Sequence, residues 1–209
     1  FFNGESVDST TTKELENGAP KGTRVLFVTT VPITLVSFLI PLAKRLIAHG
    51  AHVDCASQRA SEYSGLSVFE HKFDITWSRS LSSMLSYSEC EKQIFSILDS
   101  RHYDIVHVHT PIAAYITRKA CARWKVKHAC QTPAIIYTVH GFHFYKSQHS
   151  MLKNCLFRTL EKRALPWTDA LVVMNDEDEM AARTLQKTSP ATRIVRIDGI
   201  GFDFSLYAS

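Results

Sequence analysis

Residues 103–111 read YDIVHVHTP, and residues 134–141 read AIIYTVHG. Each run is short, rich in β-branched residues and largely apolar, and a histidine stands at or directly after its end. Such runs are typical of strands that are buried on both faces of a parallel sheet. The stretch between them, residues 112–124, is predicted to be a helix. The two runs are therefore expected to be parallel strands joined by a helical crossover.

The same alternation extends to both sides of this unit. The predicted strands are residues 24–29, 52–56, 68–73, 103–109, 134–139, 170–174 and 193–197, and the predicted helices are residues 37–49, 80–100, 112–124, 151–165 and 176–186. Ser37 is the expected N-cap of the first helix and Gly50 its expected stop. The pattern predicts an α/β fold, a Rossmann-like parallel sheet with helices on both faces. Ligands of such sheets bind beyond the carboxyl ends of the strands.

Composition fits one globular domain with a sizeable core. The chain has 209 residues, of which 45% are hydrophobic and 21% charged, and its net charge is +4. Residues 1–20 hold four acidic residues and one basic residue, so the positive charge lies in the rest of the chain. A basic body can approach nucleic acid, acidic lipid or a phosphorylated substrate, and it can also serve solubility alone.

Several protein classes are disfavoured by missing motifs. The five cysteines are odd in number and form no CxxC pair, which favours a reducing compartment over a disulfide scaffold. No signal peptide is visible, and the most apolar stretch, residues 31–43, is cut short by Lys44 and Arg45. Neither a phosphate-binding GxxxxGK[ST] loop nor a GxSxG elbow occurs, and no GxGxxG follows the first strand. No nucleic-acid-binding signature is present, so no nucleic acid partner is expected.

The histidines at the ends of the two central strands are the strongest candidates for chemistry. His140 directly follows a buried strand, where it could act as a general base or hold a polar ligand. Gly141 allows a sharp turn that brings backbone amides close to a ligand. A turn histidine bonded to a loop is the alternative. His107 and His109 share one face of their strand, but no acidic or cysteine ligand accompanies them at a known spacing, so no metal is expected.

Two helices carry basic residues. Residues 112–124 are expected to present a basic face of Arg118, Lys119 and Arg123. Residues 151–165 combine a stripe of Leu152, Leu156, Leu160 and Ala164 with a basic side of Lys153, Arg158, Lys162 and Arg163. Such a helix can lie on anionic lipid, although an ordinary surface helix that packs its stripe on the sheet fits the same pattern.

These motifs together resemble the N-terminal domain of family 4 glycosyltransferases, which have the GT-B fold. The resemblance is carried by YDIVHVHTP at 103–111 and YTVHGFHFYK at 137–146. Supporting pieces follow in family order: SFLIP at 37–41, FDI at 73–75 with Arg79, LEKR at 160–163, TDALV at 168–172, NDED at 175–178 and GIGFD at 199–203. The similarity is greatest to bacterial capsule and exopolysaccharide sugar transferases.

The resemblance implies a retaining transferase that moves a sugar from a nucleotide-sugar to an acceptor, often a lipid-linked sugar at the cytoplasmic face of the membrane. His140 would face the donor sugar as the catalytic residue. Thr110, Gly141, His143 and Lys146 would bind substrate. No metal or cofactor is implied, because the nucleotide-sugar is a substrate. A cytoplasmic protein, peripheral on the inner face of the cell membrane, is the expected location.

The resemblance also suggests how the chain is organised. Residues 1–22 are expected to be a flexible leader, residues 23–203 the family 4-like N-terminal domain, and residues 204–209 the start of a link to a C-terminal domain. In the family that second domain binds most of the nucleotide-sugar and carries an E-x7-E pair. The same spacing from Glu62 to Glu70 falls between two N-domain strands and is interpreted as chance.

The leading hypothesis is therefore the acceptor-side half of a glycosyltransferase. This half is expected to be inactive alone and to pair with a C-terminal-domain chain or with itself. A non-catalytic module that binds an acceptor or a partner protein is the alternative, and a free-standing flavodoxin-like nucleotide-binding domain is a third.

Overall fold

The computed structural model of the chain describes residues 21–77, 84–142 and 151–199. Within these ranges seven parallel strands form one sheet in the order β3-β2-β1-β4-β5-β6-β7. The strands are β1 (Arg24–Val28), β2 (His52–Ser57), β3 (Lys72–Asp74), β4 (Ile105–His109), β5 (Ala134–Thr138), β6 (Ala170–Val173) and β7 (Arg193–Arg196). The predicted α/β Rossmann-like sheet is confirmed. Since β1 lies between β2 and β4, the strand order reverses there, and ligands bind at such a reversal in open parallel sheets.

Helices cover both faces of this sheet. They are α1 (Pro32–Thr34), a π-helical turn (Leu35–Leu39), α2 (Ile40–Ala48), α3 (Met84–Ser100), α4 (Pro111–His128), α5 (Met151–Ala164) and α6 (Asp176–Gln186). Along β1 the side chains alternate between the two faces. Phe27 belongs to the smaller core cluster, with Leu35 and Leu39 of the π-helical turn. Leu26 belongs to the larger cluster, to which α3, α4 and α6 contribute. This alternation explains why the central strands are apolar on both faces.

The first helical segment begins earlier than the sequence predicts. The chain turns into α1 directly after β1, and Ser37 lies inside the π-helical turn instead of capping a helix. Pro41 is the second residue of α2, directly after the π-helical turn, so the continuous helical run from Pro32 to Ala48 accommodates a residue that has no backbone N–H. The predicted stop is confirmed, because Gly50 follows the helix with a φ of +87°, which favours glycine.

Other elements also differ at their boundaries, and the helix predicted over residues 112–124 continues to His128. The third strand is shorter and later than residues 68–73, because Phe69 is instead used in the loop before it to fill the smaller core cluster. The start predicted for the helix over residues 80–100, residues 80–83, lies outside the described residues, and α3 is described from Met84.

The basic face predicted for residues 112–124 is wrong at Arg118. This side chain is completely buried, and its Nη2 donates to Glu161 Oε2 at 2.9 Å. Its guanidinium carbon lies 4.4 Å from the centroid of the Tyr137 ring. The cause is the packing of α4 against α5, which turns the Arg118 face of α4 inward. Lys119 and Arg123 stay at the surface, where both form ion pairs with Glu91.

The face of α5 that packs inward is shifted from the predicted stripe. Ala164 is buried as expected, and the buried Glu161 lies on the same side because it pairs with Arg118. Leu156 of the predicted stripe is instead 46% exposed. The basic residues Arg158, Lys162 and Arg163 are exposed, as predicted. No helix in the described ranges is both long enough and apolar enough to cross a bilayer.

Candidate functional site

Three neighbouring strands bring their following residues together at the carboxyl edge of the sheet. Thr30 comes after β1, Thr110 after β4 and His140 after β5. The hydroxyl oxygens of Thr30 and Thr110 lie 2.6 Å apart, and the Thr30 backbone N–H donates to Thr110 Oγ1 at 3.2 Å. The predicted placement of Thr110 and His140 at one edge is therefore observed.

Thr110 joins β4 to α4 in a strained backbone conformation. Its φ is +65° and its ψ is 133°, a region that β-branched residues rarely adopt. Its hydroxyl does not cap α4 but donates back to the carbonyl oxygen of His109 at 2.5 Å. The two hydroxyls thus lock the ends of β1 and β4 to each other. Strain of this kind clusters at functional sites, where the surrounding structure holds it in place.

His140 is exposed at the same edge, on a turn that depends on Gly141. Gly141 has a φ of +93°, and a Cβ at this position would meet nothing within 4 Å. The requirement for glycine is thus one of backbone conformation and not of space. The ring of Phe38, from the π-helical turn, lies 5.6 Å from the His140 ring. The early start of the first helical segment therefore puts an aromatic wall beside the candidate catalytic histidine.

Three histidines form a contiguous cluster beneath this edge. The ring centroids of His107 and His109 are 4.3 Å apart, as their shared strand face predicts. His109 Nδ1 lies 3.1 Å from His140 Nε2. His107 Nε2 lies 2.7 Å from the hydroxyl of Thr138 on β5, and Phe27 contacts the rings of both His107 and His109. His109 therefore lies at the crevice end of β4, next to His140, and His107 lies one step deeper, beside the core.

Burial keeps the cluster neutral. It lowers the pKa of His107 to about 3, with a further contribution from His140. Burial, with the charges of His107 and His140, lowers the pKa of His109 well below its ordinary value. Although His140 is exposed overall, its contacts with His109 and Phe38 remove part of the ring from water, and this partial desolvation lowers its pKa. Near neutral pH each ring therefore has one N–H donor and one lone pair.

The turn after β5 is anchored from β6 and α6. The backbone N–H of Phe142 donates to Asp178 Oδ1 at 2.8 Å, and Asp178 is buried. Asn175 caps α6 by accepting from the Asp178 N–H, and its amide nitrogen donates to Asp178 Oδ2 at 2.7 Å. Sequence reasoning missed this role of Asp178. The Asn-x-x-Asp spacing, which is typical of a helix N-terminus, is the signal that could have indicated it.

Two predicted binding residues, His143 and Lys146, lie outside the described residues. Among the described residues one group has metal-like spacing: Asp54, Glu70 and His71. Asp54 already accepts from the hydroxyl of Tyr103 at 2.7 Å and from the backbone N–H of His71 at 3.0 Å. These donors satisfy the buried carboxylate without a metal.

Comparisons with known proteins agree on the family and the fold. Residues 24–175 match the model of a family described as glycosyl transferase 4-like. The EpsD protein of Bacillus subtilis (strain 168), named as a glycosyltransferase, is 34% identical over 179 residues, which are 85% of this chain and 44% of EpsD. An Escherichia coli UDP-Gal:alpha-D-GlcNAc-diphosphoundecaprenol alpha-1,3-galactosyltransferase is 28% identical over 86 residues, which are 41% of this chain and 20% of that protein. The chain thus spans less than half the length of either relative.

Solved structures share the fold at low identity. Sucrose-phosphate synthase of Thermosynechococcus elongatus superposes with a TM-score of 0.64 at 14% identity, over 88% of this chain and 49% of that one. Anabaena HepE, solved in complex with UDP and glucose, gives a TM-score of 0.55 at 14% identity, over 88% of this chain and 46% of that one. The sheet order, the match over residues 24–175 and the identity with EpsD lead to one conclusion: the chain belongs to the glycosyl transferase 4-like family, and its Rossmann-like sheet corresponds to half of a GT-B fold.

Proposed function

We propose that the chain is the acceptor-side half of a glycosyltransferase that moves a sugar from a nucleotide-sugar to a lipid-linked or polysaccharide acceptor. His140 carries the proposal, because it stands exposed at the carboxyl edge of the sheet, on a glycine turn, in contact with a second histidine. The E. coli relative supports the substrate class, since its name specifies a UDP-sugar and a diphosphoundecaprenol-linked acceptor.

The residues around His140 suggest how the acceptor is held. Sugar hydroxyls are recognised by neutral hydrogen-bonding groups, and the Gly141 backbone and His140 offer such groups at this edge. Thr110, whose hydroxyl is already bonded to Thr30 and His109, holds the adjoining strand ends in place. His143 and Lys146 are proposed to complete the acceptor site. His140 acts where the acceptor meets the donor sugar, and stabilises the reacting group by a hydrogen bond.

The donor diphosphate is proposed to bind elsewhere, on the part of the relatives' length that this chain does not span. Helix N-termini often bind phosphate, but the first turn of α6 holds Asp176, Glu177, Asp178 and Glu179. Arg196 pairs with Asp176 and Glu179, and Arg183 pairs with Glu179. The four acidic groups still outnumber these two arginines, so this helix end disfavours a diphosphate. The 209 residues alone are therefore expected to bind nucleotide-sugars very weakly and to transfer no sugar, and they are proposed to pair with a C-terminal-domain chain or with themselves.

A contact with the inner face of the cell membrane would bring a lipid-linked acceptor to this site. The exposed side of α5 supports it, because Leu156 lies there with the basic residues Arg158, Lys162 and Arg163. Sedimentation with vesicles that contain anionic lipid tests it. Leu156→Glu should weaken sedimentation more than Val126→Glu, a change at an 83% exposed valine on α4. Equal effects of the two changes would remove α5 from the contact.

The acceptor site is tested by binding to the chain itself. A short-chain prenyl diphospho-GlcNAc is titrated into isotope-labelled protein, and the backbone signals of Thr110, His140 and Gly141 are expected to shift together. His140→Ala should weaken binding about tenfold or more, on the scale of a lost hydrogen bond to the ligand. His102→Ala, at an exposed histidine before β4, is the matched control. Shifts confined to other parts of the chain would contradict the proposed site.

Transfer itself is tested in a longer chain that includes the part of a relative that residues 1–209 do not span. Residues 1–209 are joined to the part of the B. subtilis relative that they do not span, and transfer of radiolabelled sugar to a membrane extract is followed with a panel of nucleotide-sugars. His140→Ala should reduce transfer by about 10²-fold or more. Unchanged transfer would favour a module that binds an acceptor or a partner without catalytic residues. Robust transfer by the 209 residues alone would overturn the half-enzyme proposal.

A further inference from the structure

His109 is enclosed on all sides, whereas its partner His140 is exposed. The His109 side chain is 1% exposed, and its Nδ1 lies 3.1 Å from His140 Nε2. The groups that contact these two rings from the neighbouring elements are uncharged near neutral pH: Phe27 of β1, Phe38 of the π-helical turn and His107 of β4. No described carboxylate contributes to the pKa shift of either ring. Both imidazoles are therefore neutral near pH 7, with one ring proton each.

A hydrogen bond between two neutral imidazoles admits two arrangements. In one, His109 Nδ1–H donates to His140 Nε2, and the His140 proton is then on Nδ1. In the other, His140 Nε2–H donates to His109 Nδ1, and the His109 proton is then on Nε2. The two arrangements place opposite groups at the exposed side of the site, because His140 Nδ1 carries a proton in the first and a lone pair in the second.

The buried nitrogen of His109 decides between them. His109 Nε2 is inaccessible to solvent and has no hydrogen-bond partner among the described residues. The second arrangement would leave an N–H at this nitrogen without an acceptor, whereas the first leaves only an unused lone pair. Orphaned buried N–H groups are rarer in proteins than under-used acceptors. The first arrangement is therefore the more stable one.

We propose that His109 is a positioning residue that donates Nδ1–H to His140 Nε2 and so fixes His140 as the Nδ1–H tautomer. The proposal deepens the proposed function, on which it rests for the role of His140. It narrows that role to hydrogen-bond donation, since a ring whose Nε2 is occupied and whose Nδ1 is protonated cannot take a proton from an acceptor hydroxyl. His140 instead presents a hydrogen-bond donor to an oxygen of the substrate.

The test reads the tautomers directly, without substrate. The 209-residue chain is labelled with ¹⁵N-histidine, and long-range ¹H–¹⁵N correlations are recorded near pH 7.5, with assignments from single substitutions. Both His109 and His140 are expected to show protonated Nδ1 and unprotonated Nε2. A His140 signal with the proton on Nε2 would overturn the proposal. Because no transfer is measured, this outcome is independent of whether the chain serves a glycosyltransferase.

Two variants separate positioning from a purely structural role. In His109→Leu no donor remains, so His140 should shift towards the Nε2–H form that histidine side chains favour in water. In His109→Asn the side-chain amide places an N–H near the former Nδ1, so His140 should keep the Nδ1–H form. A His140 tautomer that is the same in both variants would overturn the proposal. If His109→Leu does not fold, loss of the Nδ1–H form in folded His109→Asn overturns it.

Discussion

At the crevice edge, Thr110 combines a strained backbone conformation with a hydroxyl group that is fully hydrogen-bonded within the protein. Thr110 keeps a positive φ, and its hydroxyl ties the end of β4 to Thr30 at the end of β1. The sequence predicted that Thr110, His140 and Gly141 lie at one edge, because parallel strands end together. It could not predict the contact of His109 with His140, which depends on side-chain directions across two strands. Phe38 was missed as a neighbour because its position depends on the π-helical turn.

Replacing Thr110 separates its strain from its hydrogen bonds. Thr110→Gly removes the hydroxyl and also the steric conflict at positive φ. That conflict destabilises the folded wild-type protein by about 1–3 kcal/mol. Thr110→Val keeps the β-branched conflict and loses the hydroxyl, so we expect it to be less stable than the wild type by about 1–2 kcal/mol. Thr110→Gly should therefore be the more stable of the two variants. Urea denaturation measures the free energy of unfolding of both variants. A glycine variant less stable than the valine variant would contradict the claim that the Thr110 backbone is strained.

The histidine cluster makes stability depend on pH. The lowered pKa values of His107 and His109 mean that the unfolded chain binds more protons than the folded chain below about pH 6.5. The free energy of unfolding should therefore fall as pH is lowered from 6.5 towards 3. His109→Asn should reduce this slope by up to about 1.4 kcal/mol per pH unit. Urea denaturation at a series of pH values measures it, with exposed His102→Gln as control. If the free energy of unfolding depends on pH equally in His109→Asn and His102→Gln, the pKa of His109 is not lowered in the folded chain.

At the scale of elements, α4 and α5 are joined by a buried ion pair. Arg118 and Glu161 lie inside, and Arg118 Nη1 also reaches the hydroxyl of Thr168 at 3.3 Å. The sequence predicted both helices but assigned Arg118 to the surface, since a charged residue at one position of a helix is exposed far more often than buried. Glu161 belongs to the family-like LEKR string, yet nothing in its spacing indicates a partner 43 residues away.

Breaking this pair should be the most destabilising single change on these helices. Arg118→Met leaves the Glu161 carboxylate buried without its partner, which we expect to lower the free energy of unfolding by about 3–5 kcal/mol. The double variant Arg118→Met/Glu161→Met should recover part of that loss, because it removes the uncompensated charge. Arg163→Met, at an exposed position of α5, is the matched control. A loss no larger than that of the control would argue against a buried pair.

Across the whole molecule, the accessibility of each free thiol shows which parts of the core are shielded from solvent. Cys55, Cys90 and Cys121 are buried, Cys130 is half-buried and Cys155 is exposed. Burial raises the pKa of Cys55 and of Cys121 to about 12. The sequence predicted reduced cysteines from their odd number and spacing, but it could not predict which ones are accessible, since accessibility depends on the packing of the helices on the sheet.

Thiol labelling should therefore divide the five cysteines into two groups. A thiol reagent at neutral pH should modify Cys155 rapidly and Cys130 more slowly in the native chain. Cys55, Cys90 and Cys121 should react only after the chain unfolds, because a buried, protonated thiol is neither accessible nor nucleophilic. Mass spectrometry of labelled peptides, with and without urea, measures the pattern. Rapid native labelling of Cys121 would show that α4 does not close over the sheet as described.

The two core clusters also differ in how much of the chain must exist before they can close. The smaller cluster draws its buried residues from positions 25–69 alone, whereas the larger one needs residues from 26 to 185. Since a ribosome releases the amino-terminal end first, the side of β1 that holds Phe27 can be covered while the second half of the sheet is still being made. In nascent chains stalled after about residue 110, β1 and β2 should then resist protease. The opposite side of β1 is covered only after α3, α4 and α6 have been synthesised and have folded. The two faces of the sheet would thus be covered one after the other during synthesis.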